Sequence, residues 1–171
     1  MTVEVRQLVP DDTDAFILLR REALDREPSA FLSSPEDDRA LDPAFVREAF
    51  QNISQATFGA FAPDLVGIVG IGRDSHRKAA HKAHVWGLYV KASQLRTGVG
   101  RLLMITALRF ARKLPGVTHV HLGVAESNAP AVHLYESLGF VAWGMEPDAL
   151  QIDGGLIAER HMVLDLNARA L

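Results

Sequence analysis

Residues 84–114 constrain the fold of this chain more than any other stretch. Residues 84–90 form an apolar run, rich in aromatic and β-branched residues and too short for a comfortable helix, so they predict a buried strand. A polar turn follows. After Gly98, apolar residues recur in the three- and four-residue steps of one helix face, at Val99, Leu103, Ala107, Phe110 and Leu114. The stretch therefore predicts a strand, a glycine loop and a helix in that order.

The glycine loop predicts a binding site for an anion. The first N–H groups of a helix have no partner inside it, and the helix dipole adds partial positive charge there. Gly98 and Gly100 lack the Cβ atoms that would hold an anion away from these amides, and Arg96 and Arg101 add positive charge. A phosphate or diphosphate suits this loop, although the pattern also fits a plain connector in an α/β domain. The spacing matches neither a P-loop nor a dinucleotide fingerprint.

The rest of the chain predicts a mixed sheet with helices. Before the glycine loop we expect a short strand, two helices and an antiparallel hairpin, at residues 3–6, 10–24, 42–50 and 57–73. After it we expect a strand, a helix and two further strands, at residues 118–124, 128–139, 140–143 and 157–166. Residues 144–155 are expected to be irregular. Asp42 and Asn128 are expected to cap their helices. The buried face of the first helix is expected to consist of Phe16, Leu19, Ala23 and Leu24. Strand, helix, strand in this order implies a parallel crossover, so the strands at 84–90 and 118–124 lie in one sheet.

Each of these two parallel strands contains an interior glycine, Gly87 and Gly123. Glycine inside a strand often marks a bulge or a close approach of other atoms. A bulge in either strand would let the pair separate at its carboxyl end, where open sheets bind ligands. The other interpretation is that each glycine accommodates a bulky neighbour.

Composition excludes several classes of protein. The 171 residues, 48% hydrophobic and 23% charged, are typical of a soluble protein, and we expect one domain over residues 1–171. A net charge of −3 argues against a nucleic-acid partner, and no apolar run approaches the roughly 18 residues of a membrane helix. Cysteine is absent. With no signal segment at the N-terminus, we expect a cytoplasmic protein without a membrane partner.

The acidic run Glu36-Asp37-Asp38 has two interpretations. It is either a solvated loop or a lip that attracts a cationic substrate.

A set of residues after the glycine loop resembles a known family. With Val90 and residues 96–100, the residues Asn128, Ala131, Leu134-Tyr135-Glu136 and Gly139-Phe140 resemble the GNAT superfamily of acyl-CoA-dependent N-acetyltransferases. The order of elements is also similar over nearly the whole chain. The resemblance implies an α/β (α+β) fold: a mixed, mostly antiparallel sheet, a central parallel strand pair splayed at the cofactor site, and helices on both faces. One departure is Leu95, where the family usually has Gln or Arg.

The resemblance also implies acetyl-CoA as cosubstrate, with no metal. The backbone of Leu88, Tyr89 and Val90 would bond the pantetheine amides, and Asn128 would contact the pantetheine arm. The diphosphate would be held by the amides of Arg96, Thr97, Gly98, Val99, Gly100 and Arg101.

Tyr135 would lie near the sulfur and protonate, or hydrogen-bond, the departing thiolate. A tyrosine hydroxyl, with an unperturbed pKa of about 10, is protonated at neutral pH and can serve as this donor. Its spacing also suits an amphipathic core residue beside the apolar stripe Ala131, Leu134 and Leu138.

The candidate general base is His84. An amine with a pKa of about 10.4 is only about 0.04% neutral at pH 7, so a base that removes its proton assists attack. Several relatives have Glu on the strand before the phosphate loop, and His84 corresponds to it here. Imidazole can titrate near neutrality, although a histidine at a strand end is commonly structural. Further candidates are His119, His121 and Glu159, and no histidine spacing indicates a metal site.

The sequence thus predicts an N-acetyltransferase in which an amine attacks acetyl-CoA directly in a ternary complex. The acceptor is a small-molecule amine, or a protein N-terminus or lysine, and we expect a homodimer. The alternative is a non-catalytic acyl-CoA-binding or regulatory module, which Leu95 and the absence of Glu at position 84 support.

Overall fold

The centre of the molecule is a seven-stranded sheet with the strand order β1-β2-β3-β4-β5-β7-β6. The computed structural model describes residues 2–168. The strands are β1 (Glu4–Gln7), β2 (Gln55–Phe61), β3 (Leu65–Arg73), β4 (Lys82–Val90), β5 (His119–Ala125), β6 (Val141–Ile152) and β7 (Gly155–Asp165). The helices are α1 (Thr13–Arg26), α2 (Pro43–Ala49), α3 (Val99–Ala111) and α4 (Ala129–Ser137). All neighbouring strands are antiparallel except β4 and β5.

Two apolar cores cover the two faces of the sheet, which confirms the predicted fold class. One core joins α3 and α4 to the sheet through side chains such as Leu103, Met104 and Val132. The other joins α1 and α2 to it through the predicted buried face of α1, which is Phe16, Leu19, Ala23 and Leu24. No helix within residues 2–168 has the length and hydropathy to cross a bilayer.

The parallel pair β4–β5 separates soon after it begins. The two strands pair only from Lys82 to His84 and from His119 to His121. Beyond this point β4 bulges, because its register against β3 shifts between Ile68 and Gly70 and Gly87 has a φ of +63°. Of the two interpretations of Gly87, the structure therefore supports the bulge. Among residues 2–168, the edge of β4 that faces β5 has no ladder partner beyond His84.

Gly123 has a different role from Gly87. β5 pairs with β7 without interruption from His119 to Ala125, so there is no bulge at Gly123. A Cβ atom added at Gly123 would lie 2.6 Å from Cδ of Glu159. The glycine therefore accommodates a bulky neighbour, and the carboxylate of Glu159 lies across the strand at this place.

The prediction that residues 144–155 are irregular is wrong. β6 continues to Ile152 and forms a long hairpin with β7. Pro147 and Asp148 resemble loop residues, but β6 is an edge strand, where proline is tolerated. The register shift between Glu146 and Leu150, with a φ of +55° at Asp148, absorbs the irregularity without ending the strand.

The acidic run fits the first of its two interpretations, a solvated loop, only in part, and the second, a lip for a cationic substrate, remains a prediction. Asp38 is buried, with 5% of its side chain exposed, and its Oδ2 lies 2.7 Å from Nε of Arg20. Asp37 accepts a hydrogen bond from the backbone N–H of Ser34 at 2.7 Å. Both carboxylates thus hold local structure, while Glu36 and Asp37 are exposed to solvent.

The structure also differs from two smaller predictions. The expected stripe on α4, Ala131, Leu134 and Leu138, is only partly buried, whereas Val132 and Tyr135 are buried. α3 ends at Ala111, before the expected end near Leu114.

Candidate active site

The separation of β4 from β5 leaves a cleft of about 100 Å³ between the two strands. Residues 29–32, which precede α2, close it on one side. We call this space the cleft and define it by Ser29, Ala30, Phe31, Leu32, Val85, Trp86, Gly87, Leu88, Leu122, Gly123, Val124, Ala125, Asn128, Ala131, Tyr135 and Glu159.

Tyr135 brings a protonated hydroxyl to the cleft. Its side chain is buried, and desolvation raises the pKa of the hydroxyl to about 12. The ring packs edge-on against Phe140 with centroids 6.0 Å apart. Within the described part of the chain no fully buried polar side-chain atom lacks a partner, and the hydroxyl forms no hydrogen bond to another residue, so it is open to the cleft. The hydroxyl is thus an unengaged proton donor at neutral pH.

Both tyrosines of the chain are expected to lose their hydroxyl protons only at unusually high pH. Burial and a hydrogen bond to Glu22 also raise the pKa of Tyr89 to about 12. We expect little tyrosinate absorbance from the native protein at pH 10, and half-titration near pH 10 in denaturant. Because folding raises both pKa values, the stability they contribute is complete below pH 10 and is lost as pH rises toward 12. A native titration midpoint near pH 10 would contradict this.

Asn128 has two functions in this geometry. Its Oδ1 accepts a hydrogen bond from the backbone N–H of Ala131 at 3.2 Å, which caps α4 as the sequence predicts. The same side chain lines the cleft. The cap fixes the side chain, so its position relative to the cleft is set by the start of the helix.

The loop before α3 fits a diphosphate. Arg96 and Gly98 have φ angles of +62° and +88°, and a Cβ at Gly98 would meet no atom within 4 Å. The first hydrogen bond at this end of α3 runs from Leu102 N–H to the Gly98 carbonyl. The N–H groups of residues 99–101 therefore have no partner in the described chain. Gly100 lies beside Val90 of β4 and Leu134 of α4, so the loop is next to two elements that contribute residues to the cleft.

The side chains of this loop are engaged differently. Arg101 donates to the Ser137 hydroxyl at 2.8 Å and so links α3 to α4. Thr97 donates to the Gln94 carbonyl at 2.7 Å. Arg96 is exposed, as is Leu95. The backbone of the loop, rather than its hydroxyl or apolar side chains, is what faces an incoming anion.

A second space, which we call the groove, adjoins the cleft and has a volume of about 610 Å³. It is defined by Lys82, His84, Val85, His121, Leu122, Gly123, Trp143, Glu159, His161 and Val163. Val85, Leu122, Gly123 and Glu159 line both spaces. A molecule in the groove can therefore reach the cleft.

His84, the candidate base, lies in the groove rather than in the cleft. Its Nε2 is 3.5 Å from Oδ2 of Asp74, and its ring centroid is 5.7 Å from that of His121. Burial lowers the pKa of His121, and neighbouring positive charges lower it further. His121 is therefore a neutral imidazole at pH 7.

The model of the Acetyltransferase (GNAT) family matches residues 17–140, well over half of the chain. The chain belongs to the GNAT acetyltransferase family.

Known proteins support this membership. The chain is 46% identical to the mycothiol acetyltransferase of Acidothermus cellulolyticus over 67 residues, 38% of this chain and 19% of that protein. It is 34% identical to the N-alpha-acetyltransferase of Sulfurisphaera tokodaii over 59 residues, 34% of this chain and 35% of that protein. The chain thus spans well under two thirds of the length of these curated relatives.

The yncA protein of Salmonella typhimurium, solved with its cofactor acetyl-CoA, shares the fold of this GNAT protein. The TM-score is 0.85 at 21% identity, with 100% of this chain and 98% of that chain covered.

The GNAT chain brings only some of the sequence-predicted site residues together. Leu88, Asn128 and Tyr135 line the cleft, whereas Tyr89 and Val90 do not. The Tyr89 hydroxyl donates to Glu22 in the α1–α2 core, so only its backbone can face a cosubstrate. The roles assigned to these residues remain predictions.

No role for His161, and none of its contacts with Glu146 and Glu159, was predicted from the sequence. His161 Nε2 lies 3.1 Å from Oε2 of Glu146 and 3.8 Å from Oε1 of Glu159. The possible metal-ligand atoms of Glu146, Glu159 and His161 all lie within 4.8 Å of one another, which is close enough to hold a metal ion. The expectation that the protein uses no metal therefore remains a prediction. Recognising residues 144–155 as a strand paired with β7 would have revealed this cluster.

Proposed function

We propose that this protein is an N-acetyltransferase that moves the acetyl group of acetyl-CoA to a primary amine. The observation that supports this best is the separation of β4 from β5 after His84 and His121, next to the unpaired amides of α3 and the hydroxyl of Tyr135. Two relatives named as acetyltransferases, and a shared fold with a protein solved with acetyl-CoA, agree with it.

The chain offers a series of polar contacts to acetyl-CoA. We assign the diphosphate to the loop of residues 96–101, where Gly98 and Gly100 let an anion approach the free amides. The unpaired edge of β4 around Leu88 offers backbone groups to the pantetheine amides, and Asn128 contacts the same arm. Donors of this edge also stabilise the charge that develops on the thioester oxygen.

Acetyl-CoA supplies an activated acyl group, and the chain manages the protons. The amine nitrogen forms a bond to the acyl carbon as the carbon–sulfur bond breaks. Tyr135 donates a proton to the departing sulfur and regains one when the acylated nitrogen loses its second proton. We assign the removal of the ammonium proton to His84, directly or through water, since the groove that His84 lines opens into the cleft.

Gly98→Ala tests the phosphate loop. At a φ of +88° an alanine is strained, and its Cβ would occupy the space that the anion needs. We expect the dissociation constant for coenzyme A, measured by calorimetry, to rise about tenfold, which corresponds to about 1.4 kcal/mol.

Gly116→Ala is the matched control. Gly116 has a φ of +77°, and a Cβ atom added there would meet open space, as at Gly98. It lies in the turn after α3, at the opposite end of this helix from the loop. Both variants carry a similar backbone cost, and only Gly98→Ala is expected to weaken the binding of coenzyme A. Equal affinities of the two variants for coenzyme A would contradict the assignment of the diphosphate to this loop.

His84→Gln tests the base. We expect kcat to fall about 100-fold, since a positioned general base typically contributes at least this factor. The control is His133→Gln, because His133 is 79% exposed on α4 and lines neither space. Thiol release is the measurement, and a His84→Gln kcat equal to that of the control would exclude the role.

The decisive experiment pairs thiol release from acetyl-CoA, over a panel of amines, with calorimetry of coenzyme A. Binding with turnover supports the enzyme. Binding without turnover favours a non-catalytic acyl-CoA-binding module, for which Leu95, 57% exposed beside the loop, is the supporting feature. The panel includes small-molecule amines and peptides with free N-termini or lysines.

The cytoplasmic location and the homodimer remain predictions. Light scattering tests the homodimer.

A further inference from the structure

The two ends of the groove carry opposite charges. At the end shared with the cleft, the carboxylate of Glu159 lies across β5 at Gly123. At the other end is Lys82, which forms no ion pair within residues 2–168. Asp74, the carboxylate near that end, contacts His76 and His84 instead. Lys82 therefore lines the groove, and its ammonium has no ion-pair partner in the described part of the chain.

The surroundings of Lys82 are rich in imidazoles. His81, His84 and His119 lie near His121, together with Lys82. Lys82 carries the positive charge at this end of the groove, and an imidazole N–H can also donate a hydrogen bond to an anion. An anionic group is the natural occupant of this end.

The strand register fixes the separation of the two ends. Lys82 stands opposite His119, and Gly123 lies four residues further along β5. At about 3.3 Å per residue, the two backbone levels are about 13 Å apart. Side chains that reach into the groove from both ends shorten this gap, and the space left suits a chain of several carbons.

We propose that the acceptor is an amine with an anionic group several bonds from its nitrogen, bound with its ammonium at Glu159 and its anionic group at Lys82. This inference rests on the proposed acetyl transfer. Glu159 lines both spaces, so an amine held there lies beside the cleft that contains the Tyr135 hydroxyl. Trp143 and Val163 offer apolar surface to the carbons between the two charged groups.

The test compares three acceptors of similar length: aminopentanoate, pentylamine and diaminopentane, each with its charged groups at the chain ends. We expect the KM of aminopentanoate to be at least about tenfold below that of pentylamine, because a charged hydrogen bond is gained at Lys82. Diaminopentane is expected to be the poorest. Lys82→Met is expected to abolish the difference between aminopentanoate and pentylamine, whereas Glu159→Gln raises KM for all three.

Lys113→Met is the control, since Lys113 is exposed just after α3 and lines neither space. It is expected to keep the preference for aminopentanoate. A preference for pentylamine or diaminopentane, or a preference that survives in Lys82→Met, would overturn the inference.

Failure of the proposed function is distinguishable from failure of this inference. If coenzyme A binds but no amine gives turnover, the selectivity is measured by calorimetry of aminopentanoate and pentylamine with the coenzyme A complex. Tighter binding of aminopentanoate, lost in Lys82→Met, then supports the charge assignment. Equal affinities, or no binding of either compound, overturn it.

Discussion

Tyr135→Phe is expected to lower kcat for acetyl transfer about 100-fold or more, since general acid catalysis typically contributes at least this factor. The substitution removes one oxygen and keeps the ring that packs against Phe140. We expect a small change in KM for acetyl-CoA, because the diphosphate and pantetheine contacts lie elsewhere. Steady-state thiol release with a saturating amine measures the effect.

Stability separates the catalytic role of Tyr135 from a core role. Its hydroxyl has no hydrogen-bond partner in residues 2–168, so Tyr135→Phe is not expected to lower the free energy of unfolding. Tyr89→Phe is the contrast, because the Tyr89 hydroxyl donates to Glu22 at 2.9 Å and its loss is expected to cost about 1 kcal/mol. A Tyr135→Phe variant with the kcat of the parent protein would make Tyr135 a core residue only.

Asp38→Ala is expected to lower the free energy of unfolding by about 3 to 5 kcal/mol, as breaking a buried ion pair does. Arg20 is left 11% exposed and without its carboxylate. Its guanidinium also lies 4.5 Å from the ring of Phe31, which lines the cleft. A Cβ at Gly87 would be 2.8 Å from Arg20 Nη1. The ion pair of Arg20 with Asp38 therefore packs directly against the bulge of β4.

Denaturant unfolding measures this cost. Glu36→Ala, in the same acidic run but exposed, is the control and is expected to change stability by less than about 0.5 kcal/mol. Replacing both members, as Arg20→Met with Asp38→Leu, is expected to recover much of the loss, because no unpaired charge stays buried. A loss for Asp38→Ala as small as that of the control would contradict the assignment of a buried, stabilising pair.

Local signals made much of the fold predictable. Asp42 caps α2 and Asn128 caps α4, and both were predicted because a cap depends on residues only two or three positions away. At Gly87 the local signal left a bulge and room for a bulky neighbour both open, and the pairing with β3 decides for the bulge. Residues 144–155 were not, because the strand there is stabilised by pairing with β7 against the local preference of Pro147 and Asp148.

The candidate site likewise has features that could be predicted from local sequence and features that depend on distant contacts. The glycine loop is contiguous in sequence, so its free amides could be predicted from residues 96–101. The position of Glu159 over Gly123 depends on the pairing of β5 with β7, and the contact of Asp38 with Arg20 depends on how residues 27–41 fold back onto α1. Side chains brought together across strands leave no periodic signal in the sequence.

The bulge in β4 has a consequence for how this sheet avoids self-association. Where β4 and β5 separate, the middle of the sheet presents backbone groups that a strand from another molecule could bond, a hazard usually confined to the margins of a sheet. A bulge twists and bends its strand, which spoils the straight template that such a strand needs. The distortion at Gly87 thus opens the middle of the sheet to an extended ligand. The same distortion makes the exposed edge of β4 a poor template for a strand from an aggregating chain.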